Sequence, residues 1–215
     1  PIALIQGYAE GLKEGVNEDA ESREFYCDVI MDEASKMNQM VKNLLTLNQL
    51  EFGDEDIVFE RFNLTALVKG VLQSMEIMAD QAGAKIMLHT EEDIYAWADE
   101  FKVEQVVRNY VSNACHHVSG DMVIEVKMVQ KDGKVRVSVF NTGNPIPEAD
   151  APHIWDKFYK VDKARTREYG GSGIGLSIVE ATMKAHGKDY GVANVEGGVE
   201  FYFDVESADS ESVQC

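Results

Sequence analysis

A glycine-rich turn near the carboxyl end of the chain is the first candidate for chemistry. Gly170-Gly171-Ser172-Gly173-Ile174-Gly175-Leu176 places glycines at alternate positions, and Ser177 to Ala185 reads as the helix that follows. Glycine has no Cβ, so it accepts positive φ angles and lets a ligand lie against the backbone. A helix that opens from such a turn presents free N–H groups and a positive dipole end, which suit a phosphate. Since such turns more often serve only as caps, other segments must support the phosphate interpretation.

Two asparagines one helical turn apart form a second candidate. Asn109 and Asn113 lie in a segment with helical spacing of its apolar residues, so their carboxamides share one face of a predicted helix. Carboxamide oxygens suit Mg²⁺, which takes few protein ligands and leaves other positions for water and phosphate. His116 follows near the same face, where an imidazole suits a phosphate contact. On spacing alone, exposed polar surface is the simpler explanation of the two asparagines.

Two shorter motifs also contain residue types that carry chemistry. Asn141-Thr142-Gly143 follows a strand of alternating apolar residues, and an amide at a strand end suits the edge of a base. A plain turn is the alternative, because asparagine and glycine are common turn formers. Cys115-His116-His117 contains metal-ligating types, but consecutive helical residues diverge around the axis and do not chelate one ion together. The sequence therefore argues against zinc at this trio.

The composition limits the possible partners. The 215 residues carry 20 basic and 38 acidic side chains, a net charge of −18, and such a chain repels the phosphates of nucleic acids. The three cysteines are odd in number and unevenly spaced, which indicates reduced thiols in a cytosolic setting. The sequence contains no signal peptide and no apolar run of transmembrane length. Because the chain begins with Pro1 rather than methionine, we expect a fragment whose membrane attachment lies in a missing part.

The elements that must position these residues begin with a helical hairpin. Residues 1–15 read as one helix and residues 21–51 as a long second helix without proline or glycine. The second helix carries an apolar seam, which is typical of a coiled coil or bundle. Its members are Ile30, Ala34, Met37, Met40, Val41, Leu44 and Leu47. One hairpin does not bury such a stripe alone, so we expect a homodimer through residues 1–51 that forms a four-helix bundle. Packing on the rest of its own chain is the alternative.

Residues 52–56 are predicted to be a hinge and residues 57–206 a second domain. Strands are predicted at 57–59, 85–89, 95–98, 122–129, 135–140, 190–195 and 200–205, and helices at 63–81, 99–118 and 171–185. Residues 144–170 are predicted to be a loop that orders on binding, and residues 207–215 a polar tail. The mixture lacks βαβ regularity, so it predicts an α+β fold: an α/β sandwich in which a mixed sheet carries helices on one face.

Four motifs, taken in order, resemble the sensor histidine kinases of two-component systems and their ATP-binding domain of the GHKL type. Gln105 to Ala114 resembles the N box, and Asn141-Thr142-Gly143-Asn144-Pro145-Ile146-Pro147 the first glycine box. Ile154 to Asp162 resembles the F box, and Gly171 to Leu176 the second glycine box. Each motif alone is weak evidence for this family, but the presence of all four in this order over nearly the whole chain is highly specific.

The resemblance implies ATP and Mg²⁺ as ligands. Asn109 and Asn113 would hold the Mg²⁺ ion and the phosphates. His116 stands where a phosphate-contacting lysine is common, and His117 where an aromatic residue lies beside the nucleotide.

The other three motifs would hold the base, the lid and the remaining phosphate contacts. Asn141 would contact the adenine amino group, and Gly143 would leave room for the ring. Phe158 would anchor the mobile lid, and Lys160 would approach the γ-phosphate. The phosphates would be wrapped by the second glycine box, whose residues are Gly171, Ser172, Gly173, Ile174, Gly175 and Leu176.

The first residues resemble the continuation of an H box. In the register of Pro1-Ile2-Ala3-Leu4-Ile5 the phosphoacceptor histidine would lie shortly before Pro1. By this resemblance the chain is the cytoplasmic portion of an inner-membrane sensor protein. It would pass a phosphoryl group from ATP to that histidine and then to an aspartate in a response-regulator receiver domain. Residues 1–51 would be the dimerisation and phosphotransfer hairpin, and residues 57–206 the catalytic domain.

Three positions depart from the family pattern. Asn141 replaces the usual aspartate, so an oxygen acceptor remains while its negative charge is lost. Pro145 replaces a glycine and stiffens the start of the lid. His116 replaces a lysine, which is expected to make phosphate binding pH-sensitive because histidine changes charge near neutral pH. None of these changes removes a group whose loss alone would abolish catalysis.

Three other functions remain as alternatives. A catalytically weak nucleotide-binding module would signal by rearranging its dimer and would bind ADP tightly with little turnover. Another GHKL ATPase, such as a chaperone or mismatch-repair relative, would use a general-base glutamate, for which Glu104 is the candidate. The long seam and the F box argue against that ATPase. A structural dimerisation protein would leave the four motifs unexplained.

Overall fold

The computed structural model describes residues 1–15, 19–52, 57–90, 93–161 and 173–208. The chain divides into two compact units, Pro1–Thr46 and Leu47–Cys215. The first contains most of a helical hairpin and the second is an α+β domain. Each unit is described by itself.

The helical unit contains α1 (Ile2–Lys13) and most of α2 (Ala20–Phe52), which confirms the two predicted helices. The Tyr8 ring lies edge-on to the Tyr26 ring, with centroids 4.8 Å apart. Gly11 makes room for Tyr26, since a Cβ at this position would lie 2.8 Å from Tyr26 Cε2. No residue of α1 is buried. Several large apolar side chains of this unit are exposed: Ile2, Leu4, Phe25, Met31, Val41, Leu44 and Leu45.

The second unit contains a mixed sheet of seven described strands. They are β1 (Glu60–Asn63), β2 (Lys85–His89), β3 (Tyr95–Ala98), β4 (Val123–Lys131), β5 (Lys134–Thr142), β6 (Tyr190–Val195) and β7 (Gly198–Ser207). Their order is β1-β3-β7-β5-β4-β2, and β6 also pairs with β7. Among these strands β2 and β4 are parallel, and the other pairs are antiparallel. The α+β architecture with a mixed sheet is therefore confirmed.

The helices of this unit are α3 (Leu64–Ser74), α4 (Glu76–Gln81), α5 (Glu100–His117) and α6 (Gly175–His186). Helix α5 lies centrally and contacts α3, α4, α6 and β5. Alternate strand residues face this core: Ile124, Val126 and Val137 are fully buried, whereas the intervening Lys127 and Arg136 are exposed. One face of the sheet is thus covered, as period-two alternation predicts.

Local signals in the sequence account for several element boundaries. Asn63 caps α3, because its Oδ1 accepts a hydrogen bond from Ala66 N–H at 2.8 Å. Asp99 caps α5 in the same way, accepting from Lys102 N–H at 3.0 Å. The β4–β5 hairpin turns through Asp132-Gly133, whose φ angles of 51° and 75° match a tight hairpin turn with two positive φ values.

Other predicted boundaries were wrong. Residues 57–59 form no strand, and β1 begins at Glu60. The predicted helix 63–81 is interrupted at Met75 (φ −104°, ψ 3°), beside Ser74, whose hydroxyl donates to the Val71 carbonyl at 2.7 Å. Ser207 belongs to β7 rather than to the tail, and its N–H donates to the Gly133 carbonyl at 2.9 Å. Residues 53–56 of the hinge and 209–215 of the tail lie outside the described residues.

None of the described helices combines the length and the hydropathy that crossing a bilayer requires.

Candidate functional site

One face of α5 carries the paired carboxamides. Another face of α5 is fixed in the core by Val107, Tyr110 and Val111, which are fully buried. Asn109 and Asn113 are consequently half-buried beside that core. Neither carboxamide makes a hydrogen bond to any of the described residues. The two amide oxygens on this face therefore have no partner among the described residues.

The last turn of α5 carries the two candidate histidines. His116 is half-buried, and its Nδ1 lies 2.6 Å from the Ser112 carbonyl oxygen, so Nδ1 carries the proton and donates. This tautomer leaves Nε2 as the acceptor of the neutral ring. His117 is exposed, whereas Cys115 is buried, and burial raises the pKa of the Cys115 thiol. The three side chains of the trio thus lie in different environments, which agrees with their divergence around the helix.

The glycine turn lies directly against α5. Gly175 is the first residue of α6, and a Cβ there would lie 3.0 Å from Asn109 Oδ1. Among the described residues no side chain caps the amino end of α6, although the Ser177 hydroxyl donates to the Ile174 carbonyl at 2.8 Å. The open end of α6 is thereby placed beside the carboxamide face. Gly171 and Ser172 lie outside the described residues.

The F-box segment meets the same turn. Phe158 N–H donates to the Gly173 carbonyl at 2.8 Å, and a Cβ on Gly173 would lie 3.0 Å from Phe158 Cα. Phe158 has a φ of 64°, which is uncommon for a bulky residue and indicates local strain. The Phe158 side chain is 54% exposed, so backbone contacts hold this residue. Lys160 is half-buried, and burial lowers the pKa of its ammonium group.

The end of β5 presents the candidate base contact. Asn141 is 2% exposed and pairs with Ile124 and Val199, whose side chains face the core. Its Nδ2 donates to the Thr142 carbonyl at 3.2 Å, while its Oδ1 accepts no hydrogen bond within the described part of the chain. An amide oxygen that accepts no hydrogen bond at this strand end is suited to an amino group of a ligand.

Gly143 ties this strand end to the end of α5. Its φ is 154°, and a Cβ would lie 2.9 Å from the His117 carbonyl oxygen. Ser119 N–H donates to the Thr142 carbonyl at 2.9 Å beside it. Glycine is thus required here by close packing of the backbone, a reason that the sequence did not reveal.

The structure brings several of the predicted site residues close to one another, and it places Glu104, the candidate of an alternative function, apart from them. Direct contacts link Asn109 to Gly175 and Gly173 to Phe158. Glu104, the candidate base of an ATPase, lies on the solvent side of α5, where its Oε1 is 2.6 Å from Arg108 Nη2. At helical spacing, Glu104 faces away from Asn113. No contact of Lys160 with the other candidate residues is described.

Sequence reasoning missed a residue that anchors the start of the predicted lid. The Asn194 side chain accepts from Ile146 N–H and donates to the Ile146 carbonyl, both at 2.8 Å. This pair of bonds fixes the segment between Pro145 and Pro147. The available signal was an amide side chain in a strand whose other residues are tyrosine, glycine, valine and alanine. Its partner lies 48 residues away in the sequence.

Family comparisons match both units. Residues 98–209 match the model of the histidine kinase-, DNA gyrase B-, and HSP90-like ATPase, and residues 1–53 match the His Kinase A (phospho-acceptor) domain. The sensor histidine kinase WalK of Bacillus subtilis (strain 168) is 29% identical over 199 residues, which are 92% of this chain and 33% of that protein. The chain thus spans about a third of the length of this curated relative.

Solved structures of histidine kinases share the fold. ThkA, solved in complex with the response regulator protein TrrA, is 29% identical with a TM-score of 0.75, covering 96% of this chain and 57% of that one. Full-length ShkA, solved in complex with AMPPNP, is 24% identical with a TM-score of 0.73, covering 88% of this chain and 40% of that one. The likeness to ShkA concerns the fold alone.

The ATPase model matches more than half of the 215 residues, and the phospho-acceptor model matches the helices that precede it. The chain therefore belongs to the sensor histidine kinase family of bacterial two-component systems.

Proposed function

We propose that this chain is the kinase portion of a sensor protein that transfers the γ-phosphoryl group of ATP to a histidine shortly before Pro1. The group then passes to an aspartate of a response regulator. The observation that carries the proposal is the meeting of the α5 carboxamide face with the open end of α6, where Gly175 abuts Asn109. Backbone N–H groups in the first turn of a helix, together with amide oxygens that make no hydrogen bond to the described residues, suit a metal-bound phosphate chain.

The nucleotide occupies the space between these elements and the end of β5. The adenine amino group donates to Asn141 Oδ1, which lacks a donor among the described residues. The ring lies beside Gly143, and His117 flanks it. The second glycine box holds the phosphates: Gly171, Ser172, Gly173, Ile174, Gly175 and Leu176 contribute backbone N–H groups. His116 contacts a phosphate through Nε2, because its Nδ1 is bonded to the Ser112 carbonyl oxygen.

Asn109 and Asn113 fit a Mg²⁺ ion. They are oxygen ligands on one helix face, and their number agrees with an ion that keeps water and phosphate as its other ligands. When bound, the ion offsets the negative charge of the phosphates. The two residues hold it against the open end of α6.

The residues of the chain contribute mainly positioning and electrostatics. Phosphoryl transfer requires an in-line nucleophile and stabilisation of charge on the γ-phosphate. Lys160 approaches that phosphate, since its half-buried ammonium lies two residues from Phe158, which is held at Gly173. Closure of the predicted lid, whose start at Ile146 is held by Asn194, would exclude water and limit wasteful hydrolysis.

Gly173→Ala is expected to weaken ADP binding about tenfold, or about 1.4 kcal/mol. The new Cβ would meet Phe158 Cα at 3.0 Å and separate the F box from the glycine turn. Isothermal titration calorimetry measures the change. Gly83→Ala is the matched control: Gly83 has the same φ of 69°, but its added Cβ meets only Met122 Cε at 3.7 Å. Equal affinity of the two variants would contradict a role for the Phe158 contact.

The helical unit supports a homodimer through residues 1–51. Exposed apolar side chains such as Leu4, Phe25 and Val41 are costly in water, and a second copy would cover them in a four-helix bundle.

A response-regulator receiver domain is the proposed partner, by analogy with ThkA, which was solved with its regulator. Nucleic acid is not a proposed partner because of the net charge of −18. Membrane attachment, at the inner membrane with this portion in the cytoplasm, would come from other segments of the sensor.

The full-length protein, incubated with Mg²⁺ and ATP radiolabelled at the γ-phosphate, is expected to acquire acid-labile, base-stable phosphate. Glu104→Gln is expected to label at the wild-type rate, because Glu104 is paired with Arg108 on the solvent side. Absence of label with intact ADP binding would overturn the kinase function and leave a nucleotide-sensing module. Loss of ATP turnover in Glu104→Gln would instead identify a hydrolytic ATPase.

A further inference from the structure

The segment that precedes β1 is held by the residue that caps α5. Val58 N–H donates to Asp99 Oδ2 at 3.2 Å, while Asp99 Oδ1 accepts from Lys102 N–H at 3.0 Å. One carboxylate thus binds both the first turn of α5 and residues 57–59. These residues follow the predicted hinge at 52–56 and immediately precede β1, so we call them the linker segment.

A buried histidine fixes the backbone of the same residue. His186, the last residue of α6, is 6% exposed, and its Nε2 accepts from Asp99 N–H at 3.3 Å. Its Nδ1 lies 2.8 Å from the Thr182 carbonyl oxygen and must therefore donate. The Phe59 ring packs edge-on to the imidazole, with centroids 5.5 Å apart and an interplanar angle of 68°. Both ring nitrogens are thus used in a way that only the neutral ring permits.

We propose that Asp99, His186 and Phe59 form a latch that fixes the linker segment to the ATP-binding domain, and that protonation of His186 opens this latch. A protonated Nε2 carries a hydrogen and meets the Asp99 N–H as a second donor, so the bond is lost. The proposal rests on the proposed function, since the latch joins the ends of α5 and α6, the helices that hold the nucleotide. Its opening frees the domain to move relative to its linker.

The surroundings of His186 include groups that lower the pKa of its imidazole and groups that raise it. Burial is the dominant influence and lowers the pKa of His186, and the positive charges of Lys102 and Lys188 act in the same direction. The hydrogen bond to the Thr182 carbonyl and the negative charge of Asp99 oppose it. The closed latch therefore binds the proton less readily than the open one. Closure is complete above the ordinary histidine pKa of about 6.5 and is lost progressively below it, until the lowered pKa of the closed form is passed.

Hydrogen exchange of the Val58 amide tests the latch without nucleotide, so its outcome is independent of kinase activity. Between about pH 7.5 and about pH 5.5 the protection factor, corrected for the intrinsic exchange rate, is expected to fall about tenfold in the full-length protein. In His186→Gln, whose side-chain oxygen still accepts but does not titrate, it is expected to stay constant. His89→Gln alters an exposed histidine and is expected to retain the fall.

Two outcomes would overturn the latch. One is a constant protection factor in the wild type, and the other is an equal fall in His186→Gln. The amide of Val137, in the centre of the sheet, reports whether each variant is folded. If His186→Gln does not fold, NMR titration of the His186 ring resonance in the wild-type protein provides the test instead. The midpoint of this titration must coincide with the midpoint of the fall in Val58 protection. A different midpoint refutes the proposal.

Discussion

Gly198→Ala is expected to lower the free energy of unfolding by on the order of 4 kcal/mol. A Cβ at this position would lie 2.0 Å from the Asn141 carbonyl oxygen and 2.7 Å from Phe140 Cε2. The obstacle is backbone, and β5 cannot yield easily because it is paired with β4 on one side and β7 on the other. To accommodate the methyl group, β5 and β7 must move apart beside Asn141, which breaks backbone hydrogen bonds between these strands. Equilibrium unfolding in urea, followed by circular dichroism, measures the loss.

Gly70→Ala provides the control for this substitution. Gly70 lies within α3, and a Cβ there would meet nothing within 4 Å. Alanine has the higher helix propensity, so this variant is expected to gain about 0.5–1 kcal/mol. Unfolding of Gly198→Ala at the wild-type urea concentration would show that β5 and β7 can rearrange around the added methyl group.

The features that could be predicted from sequence are those that neighbouring residues determine. Asp99 marks the start of α5 because its carboxylate reaches the N–H of Lys102, three residues ahead. Asp132 and Gly133 mark the β4–β5 turn because both adopt positive φ. The shared face of Asn109 and Asn113 follows from helical geometry alone. The type of domain was predicted from the order of the four motifs, because no single motif is specific enough to identify it.

Features that depend on distant partners could not be read in this way. Gly175 in α6 lies close to Asn109 in α5. These helices are far apart in the sequence, so no local sequence pattern predicts that they pack together here. The role of Asn194 could not be predicted either, because it depends on two hydrogen bonds with the distant Ile146. The strand order also escapes the sequence, because antiparallel pairing of β7 with β3, β5 and β6 depends on long-range packing.

Asn113→Ala is expected to reduce phosphate labelling of the full-length protein by at least about 100-fold. The substitution removes an amide oxygen that makes no hydrogen bond to the described residues, so the fold loses little. Asn113 lies one turn from Asn109, and with one oxygen left, the helix face no longer holds Mg²⁺ in place. Initial rates of labelling at saturating ATP measure the effect, and circular dichroism confirms the fold.

Two further variants separate the metal site from the helix that carries it. Arg108→Ala alters the solvent side of α5, where Arg108 pairs with Glu104 at 2.6 Å; an exposed pair of this kind contributes little stability, so labelling is expected to remain within about twofold. Asn113→Asp retains an oxygen ligand and adds charge, so it is expected to label faster than Asn113→Ala at high Mg²⁺. Equal defects in the Ala and Asp variants would mean that Asn113 acts by shape or as an N–H donor. A wild-type rate in Asn113→Ala would remove this residue from the site, and the open end of α6 would then have to hold the phosphates without it.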